Sequence, residues 1–270
     1  MTEETVRNIR LVALDLDDTL LDSQYKLPPV NKKAVAEVLD LGIHVTFTTG
    51  RMYRSARPIA QELGIKLPII TYQGAYIRNP QTGELLHHAP LDYEDALEIL
   101  ELAKNKKLTV QAYFDDMLCV EAANKYIAAY AVACNVPIKA VGDLTKFIKS
   151  PPTKLLLVGD PAELDELWVS CNKKYGKRMY ITKSKPYYLE FLNIISNKGN
   201  GLSILANSLG IKKEEIMACG DSYNDLGLFA GAGLKVAMGN AIPELKAAAD
   251  YISADNDNAG VAQALKKFVL

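Results

Sequence analysis

Four short polar segments of this chain could do chemistry. Asp15-Leu16-Asp17-Asp18-Thr19 offers two carboxylates, Asp15 and Asp17, which project to one side if the chain stays extended. Two bare carboxylates in one site push a pKa up, and a divalent cation would relieve the conflict, although the same acids could simply cap the next turn. Thr48-Thr49-Gly50-Arg51 combines a hydroxyl, a glycine amide and a helix start, which suits phosphate oxygens as well as it suits an ordinary cap and turn. Arg51 in a first helical turn opposes the helix dipole, a conflict that a bound anion would offset. Lys198, with glycines at 199 and 201, also stands at a helix start, where it is either an exposed surface lysine or a group that neutralises phosphate and nucleophile. Gly220-Asp221-Ser222-Tyr223-Asn224-Asp225 sets two acids four residues apart, a pattern that serves a hard cation such as Mg²⁺ or an Asx-rich turn.

The elements that must position these groups alternate in type. Strand-like runs at 11–14, 45–48, 69–72, 216–219, 235–237 and 251–252 are separated by helix-like stretches, including 30–41 and 51–63, each closed by a glycine. Strands apolar on both faces, joined by helices, predict an α/β fold: a doubly wound, Rossmann-like parallel sheet whose ligands gather outside the strand carboxyl ends. After a hairpin expected through Asn79–Gly83, the middle of the chain changes character, with helix-like 93–104, 122–134 and 162–175 and strand-like 109–113, 154–158 and 179–182. Bracketed by His88-Ala89-Pro90 and Lys185-Pro186-Tyr187, it reads as an inserted α+β cap domain, 90–186, with residues 1–89 and 187–270 forming the core and the two prolines marking hinges.

Bulk properties narrow the partners. The 270 residues are 49% hydrophobic and 23% charged with a net charge of −1, which recommends neither nucleic acid nor an anionic membrane. The N-terminal MTEETVRNIR lacks the apolar stretch of a secretory signal, and no run approaches the roughly 20 apolar residues that span a bilayer. Cys119, Cys134, Cys171 and Cys219 are widely spaced, so reduced thiols and a cytoplasmic location are expected.

Taken together, Asp15–Thr19 (DLDDT), Thr49–Arg51 (TGR), Lys198-Gly199 and Gly220–Asp225 (GDSYND) resemble the haloacid dehalogenase superfamily, specifically its Cof-like, type IIB-capped phosphatases. Val236–Ala241 and Ala249–Ser253 also look like the family. The resemblance implies a phosphomonoester hydrolase acting on small phosphorylated metabolites, sugar phosphates foremost. By that resemblance Asp15 is the nucleophile and Asp17 the general acid/base. Thr49, Gly50 and Lys198 bind phosphate, and Mg²⁺ is held by Asp15, the Asp17 carbonyl and Asp221, with Asn224 and Asp225 in support; Arg51 is a further supporting residue of the site. An acid at Asp17 favours turnover, since relatives that keep a long-lived aspartyl phosphate carry threonine there.

Two positions depart from the family pattern: Gln73 replaces the usual Asn of Asn-Gly-Ala, and Asp18 replaces a common Gly. Two other readings of the same residues are a phosphomutase of the phosphomannomutase type and a receiver-like phospho-switch. Substrate would be read by the cap, with Tyr113, Asp115, Asp116, Tyr187 and Tyr188 as candidates. A monomer is the expectation, because the chain carries its own lid.

Overall fold

A computed structural model describes residues 8–124, 127–128, 131–132 and 136–270. Strand β1 (Leu11–Asp15) is buried along its whole length, so it needs cover on both faces. It pairs in parallel with β2 (His44–Thr48) on one side and β12 (Ile216–Gly220) on the other. Beyond β2 lie β3 (Ile69–Thr71) and the antiparallel hairpin β4 (Tyr76–Arg78) and β5 (Leu85–His88). Beyond β12 lie β13 (Leu234–Ala237) and β14 (Tyr251–Ile252), giving the order β14-β13-β12-β1-β2-β3-β4-β5.

Because β1→β2→β3 steps one way and β12→β13→β14 the other, right-handed crossovers put their helices on opposite faces of the sheet. Helix Pro29–Asp40 accordingly packs on Gly260–Phe268, and helix Lys198–Ser208 packs on Asp225–Ala230. The latter crossing is close: a Cβ on Gly199 would meet the Gly227 carbonyl oxygen at 2.1 Å, which explains the glycine beside Lys198. The chain order reverses at β1, so the ligand crevice of such a sheet opens at its carboxyl end. Register sets Asp15 opposite Thr48 there, with Gly220 one step beyond the Leu14–Cys219 pair.

The second unit is a six-stranded sheet in the order β10-β11-β9-β6-β7-β8. Its strands are β6 (Thr109–Phe114), β7 (Met117–Val120), β8 (Ile138–Ala140), β9 (Lys154–Val158), β10 (Met179–Lys185) and β11 (Tyr188–Asn193). Period-two alternation divides its side chains. Val110, Ala112, Leu155, Leu157, Leu189 and Phe191 pack on helices Tyr93–Asn105 and Pro161–Tyr175, which start at the caps Asp92 and Asp160. Tyr113, Leu156, Leu192 and the half-buried Val158 and Tyr188 join the cluster of the first unit instead. The second sheet therefore turns one face onto the carboxyl ends of the first.

The expected break at Pro186 is corrected. Lys185 pairs with Tyr188 in the β10–β11 hairpin, and β11 pairs with β9, so 188–193 belong to the second sheet. A proline beside a glycine-poor polar stretch looked like a linker but occupies a hairpin turn. The chain crosses between units elsewhere. The Ala89 N–H bonds Ala75 of the first unit and the Leu91 N–H bonds Pro152 of the second, so one crossing spans two residues. The return follows β11, where the Asn193 side chain donates to the Pro90 carbonyl at 2.9 Å and ties the two crossings together. The helix expected over 122–134 lies partly outside the described residues, and Cys134 lies outside them. Cys119, Cys171 and Cys219 are buried, and burial raises the Cys219 thiol to about 12.

Candidate active site

Asp15 ends the buried central strand with its carboxylate at the mouth of the crevice. Helix Lys198–Ser208, capped by Asn197, begins beneath it and drives Lys198 into the site at 1% exposure. The Lys198 ammonium lies 2.6 Å from Asp15 and 2.6 Å from Asp225. Asp225 spends its other oxygen on the backbone N–H groups of Asp221 and Ser222, both at 3.0 Å, which folds the loop after β12 around its carboxylate. Thr19 donates to Asp221 at 2.9 Å, so the turn after β1 and the turn after β12 are stitched together.

Oxygens of Asp15, Asp221 and Asp225 all come within 4.8 Å of one another. Three carboxylates against one ammonium leave two negative charges uncompensated in a buried place, the charge of one divalent cation. Without such an ion, burial and then the neighbouring Asp225 raise Asp15 far above the usual carboxylate range and raise Asp221 to about 7. Lys198 is held protonated: burial opposes its charge, but Asp15 and Asp225 more than offset that. The donor set is all oxygen, which fits a hard cation, and with both Asp225 oxygens already engaged, Asp15 and Asp221 are the carboxylates best able to ligate it.

Asp17 is not in this cluster. The backbone turns at Asp17 and passes through a left-handed Asp18 (φ 60°), and the Asp17 carboxylate meets the Arg51 guanidinium instead. The expected first-turn placement of Arg51 is corrected: the helix runs Tyr53–Glu62 behind the N-cap Met52, so Arg51 lies ahead of it and serves as the counter-ion of Asp17. Thr49 accepts the Arg51 N–H at 3.0 Å, and Thr49 and Gly50 line the same cleft as Asp15. Asn224 donates to Gln73 at 3.0 Å and lines the same cleft as Asp15 and Asp221.

The cleft between the two units has a volume of about 300 Å³. A family model described as haloacid dehalogenase-like hydrolase matches residues 12–265 of this chain. The chain belongs to that family. A haloacid dehalogenase-like hydrolase of Bacteroides thetaiotaomicron superposes with a TM-score of 0.86 at 31% identity, covering 96% of this chain and 99% of that one. The HMP-PP phosphatase of Serratia proteamaculans is 30% identical over 88% of this chain and 86% of its own length. The Bacillus subtilis 5-amino-6-(5-phospho-D-ribitylamino)uracil phosphatase YwtE is 29% identical over 94% and 96%. As a haloacid dehalogenase-like hydrolase the protein is an enzyme of the phosphatase type, and among the described residues no helix is long and apolar enough to cross a membrane.

In this haloacid dehalogenase-like hydrolase the cap candidates divide. Tyr187 and Tyr188 line the cleft. Tyr113 does not: it is fully buried, bonded to Gln111 and edge-on to Tyr72. Asp116 accepts the Tyr72 hydroxyl at 2.9 Å, so the β6–β7 turn that carries it and the exposed Asp115 docks on the first unit rather than facing the cleft. Sequence reasoning missed Lys154 and Glu190, an ion pair of 2.8 Å with side chains 2% and 1% exposed on the inward face of the second sheet. Lys154 also donates to the Gly50 carbonyl at 2.7 Å, and Glu190 accepts from Gln73 at 3.1 Å and from Ser184. The signal was available: each is a single charge set in an apolar strand run, TKLLLV and YLEFLN. Lys185, paired with Asp18 across the cleft, and Tyr25 were missed as well.

Proposed function

We propose that the protein hydrolyses phosphomonoesters of small metabolites, sugar phosphates among them, through an aspartyl phosphate on Asp15 and with Mg²⁺. The observation that carries this is the Asp15 carboxylate, bonded to a buried Lys198 at the end of the central strand and roofed by a second unit over a cleft sized for one small molecule. The six-stranded unit is the cap in this reading.

The Asp15 carboxylate attacks phosphorus as the ester P–O bond breaks, and Asp17 delivers a proton to the departing alkoxide. Asp17 then takes a proton from water, whose oxygen attacks the same phosphorus, and the Asp15–phosphorus bond breaks to release inorganic phosphate. Lys198 offsets charge on Asp15 and on the phosphoryl oxygens, and the amides around Thr49 and Gly50 orient them. Arg51 aims Asp17 and the cap excludes bulk water. Asp15, Asp221 and the Asp17 carbonyl would hold Mg²⁺, which when bound supplies further neutralisation of the transferring group. A chain that carries its own cap needs no second copy to complete the site, which supports a monomer.

The test is phosphate release from para-nitrophenyl phosphate and a panel of sugar phosphates, with and without Mg²⁺, for wild type and Asp15→Asn. Mg²⁺-dependent release that the variant lacks is the expected result. Equal activity of the two proteins would remove Asp15 as nucleophile, and phosphate moved to a second hydroxyl without release would indicate a mutase.

A further inference from the structure

The loop that would cradle phosphate, Thr49-Gly50-Arg51, has each of its carbonyls held by a different residue. The Gln73 N–H bonds the Thr49 carbonyl and the Tyr72 N–H bonds the Arg51 carbonyl, both at 2.9 Å and both from the first unit. The Gly50 carbonyl between them is held from the second unit, by the Lys154 ammonium at 2.7 Å. Gly50 is also closely overlaid. A Cβ there would lie 2.5 Å from Gln73 Nε2 and 3.6 Å from Glu190 Oε1, and that Gln73 amide is the one bonded to Glu190.

Lys154 and Glu190 spend their polar atoms on protein. The ammonium donates to the Gly50 carbonyl and to Glu190 Oε2 at 2.8 Å, and it stands 4.9 Å from the centre of the Tyr113 ring. Glu190 Oε1 accepts from Gln73 and from Ser184. The pair is neutral as a whole and nearly sealed from solvent, so its contribution to a phosphate site is geometric. The Gly50 carbonyl and the Arg51 N–H belong to one peptide plane and point opposite ways. That N–H donates to the Thr49 hydroxyl oxygen at 3.0 Å. With its oxygen accepting, the hydroxyl has its hydrogen to give, and Thr49 lines the cleft.

We propose that Lys154 and Glu190 are positioning residues: a buried ion pair of the second unit that sets the Gly50–Arg51 peptide and, through it, aims the Thr49 hydroxyl at the transferring phosphoryl group. The phosphate cradle is then completed by both units, at the point where the second sheet rests on Gly50. This deepens the phosphomonoesterase reading of the same site and rests on it. A residue that reads the leaving group affects some esters more than others. One that sets the cradle affects all esters alike, and inorganic phosphate with them.

The experiment titrates inorganic phosphate into the protein in Mg²⁺ by calorimetry, and measures kcat/KM for para-nitrophenyl phosphate, glycerol 3-phosphate and glucose 6-phosphate. Wild type is compared with Lys154→Met and with the double variant Lys154→Met/Glu190→Gln. Lys154→Met should weaken phosphate about tenfold and lower kcat/KM for the three esters by a matching factor. It also leaves Glu190 buried without its cation, so it should unfold at lower urea. The double variant removes both charges and keeps an acceptor for Gln73. It should recover the urea midpoint of wild type and still bind phosphate about tenfold more weakly. A folded double variant with wild-type phosphate affinity overturns the inference alone, as do losses that differ by more than about tenfold among the three esters. A double variant as unstable as the single one would make the pair structural and overturn it too. Wild type that neither binds phosphate nor releases it from any ester in Mg²⁺ overturns the hydrolase reading, and the inference with it.

Discussion

Arg51 grips the carboxylate of Asp17 from two nitrogens, Nε at 2.8 Å from Oδ2 and Nη2 at 2.5 Å from Oδ1. A two-point hold fixes the plane of the carboxylate as well as its position, which a lysine cannot do. If Asp17 is the proton donor, Arg51→Lys should slow glycerol 3-phosphate hydrolysis by about tenfold. Para-nitrophenyl phosphate, whose leaving group needs no proton, should lose much less. Equal losses on both substrates would mean that Arg51 serves the phosphate or the fold instead of Asp17.

Lys198 is the only cation bonded to the buried acid cluster among the described residues. Lys198→Met removes it and leaves Asp15 and Asp225 facing each other, at a cost of about 3–5 kcal/mol in the metal-free protein. Urea unfolding in EDTA measures that loss. Mg²⁺ should restore part of the stability but none of the turnover, and a variant as stable as wild type in EDTA would contradict the charge balance described above.

Stability of the metal-free protein should fall as pH rises from about 4 to about 7. Asp221 carries a folded-state value of about 7 against 3.8 for an unperturbed aspartate, because of burial and then Asp225, and Asp15 is shifted in the same direction. Between those values the folded state holds protons that the unfolded chain has lost, so ionisation favours unfolding. A cation takes the place of those protons. Melting temperatures in EDTA and in Mg²⁺ should therefore diverge with rising pH, by several degrees between pH 5 and pH 8. Curves that stay parallel would place the ion elsewhere.

Gln73 spans two units: its amide donates to Glu190 in the second and its carbonyl accepts from Asn224 in the first. It does so from φ 56°, where asparagine would be at less strain. Gln73→Asn is one methylene too short to hold both partners. Stability should change by less than about 1 kcal/mol, since relief of strain offsets a lost hydrogen bond, while kcat/KM falls by about tenfold as the two units lose a tie beside the cleft. Unchanged kinetics would make Gln73 a purely structural residue.

The core site was legible because its parts are contiguous: each strand end carries its own polar segment, and strand ends of a parallel sheet converge without long-range information. Lys198 could be set at a helix start from its neighbours alone, but its burial against Asp15 depends on how closely helices Lys198–Ser208 and Asp225–Ala230 cross, which is a property of packing. The second unit was less legible. Its strands β7 and β8 have four and three residues, too few to show a period, and β11 was hidden by the proline before it. Tyr113 and Asp116 looked like substrate readers because they end a strand in polar groups, yet that turn packs on Tyr72. Which polar residues face a ligand and which face the other unit is decided by docking, and neither composition nor spacing records it.

The sequence contains one tryptophan, Trp168, on helix Pro161–Tyr175 of the second unit. Its ring centre lies 5.8 Å from that of Tyr223, in the loop that carries Asp221 and Asp225. The molecule thus has a single indole beside 14 tyrosines, and that indole sits at the seam between its two halves. Excitation beyond the tyrosine absorption band isolates that one indole, so its emission in unlabelled protein reports the surroundings of a single point on the seam and of nothing else in the molecule.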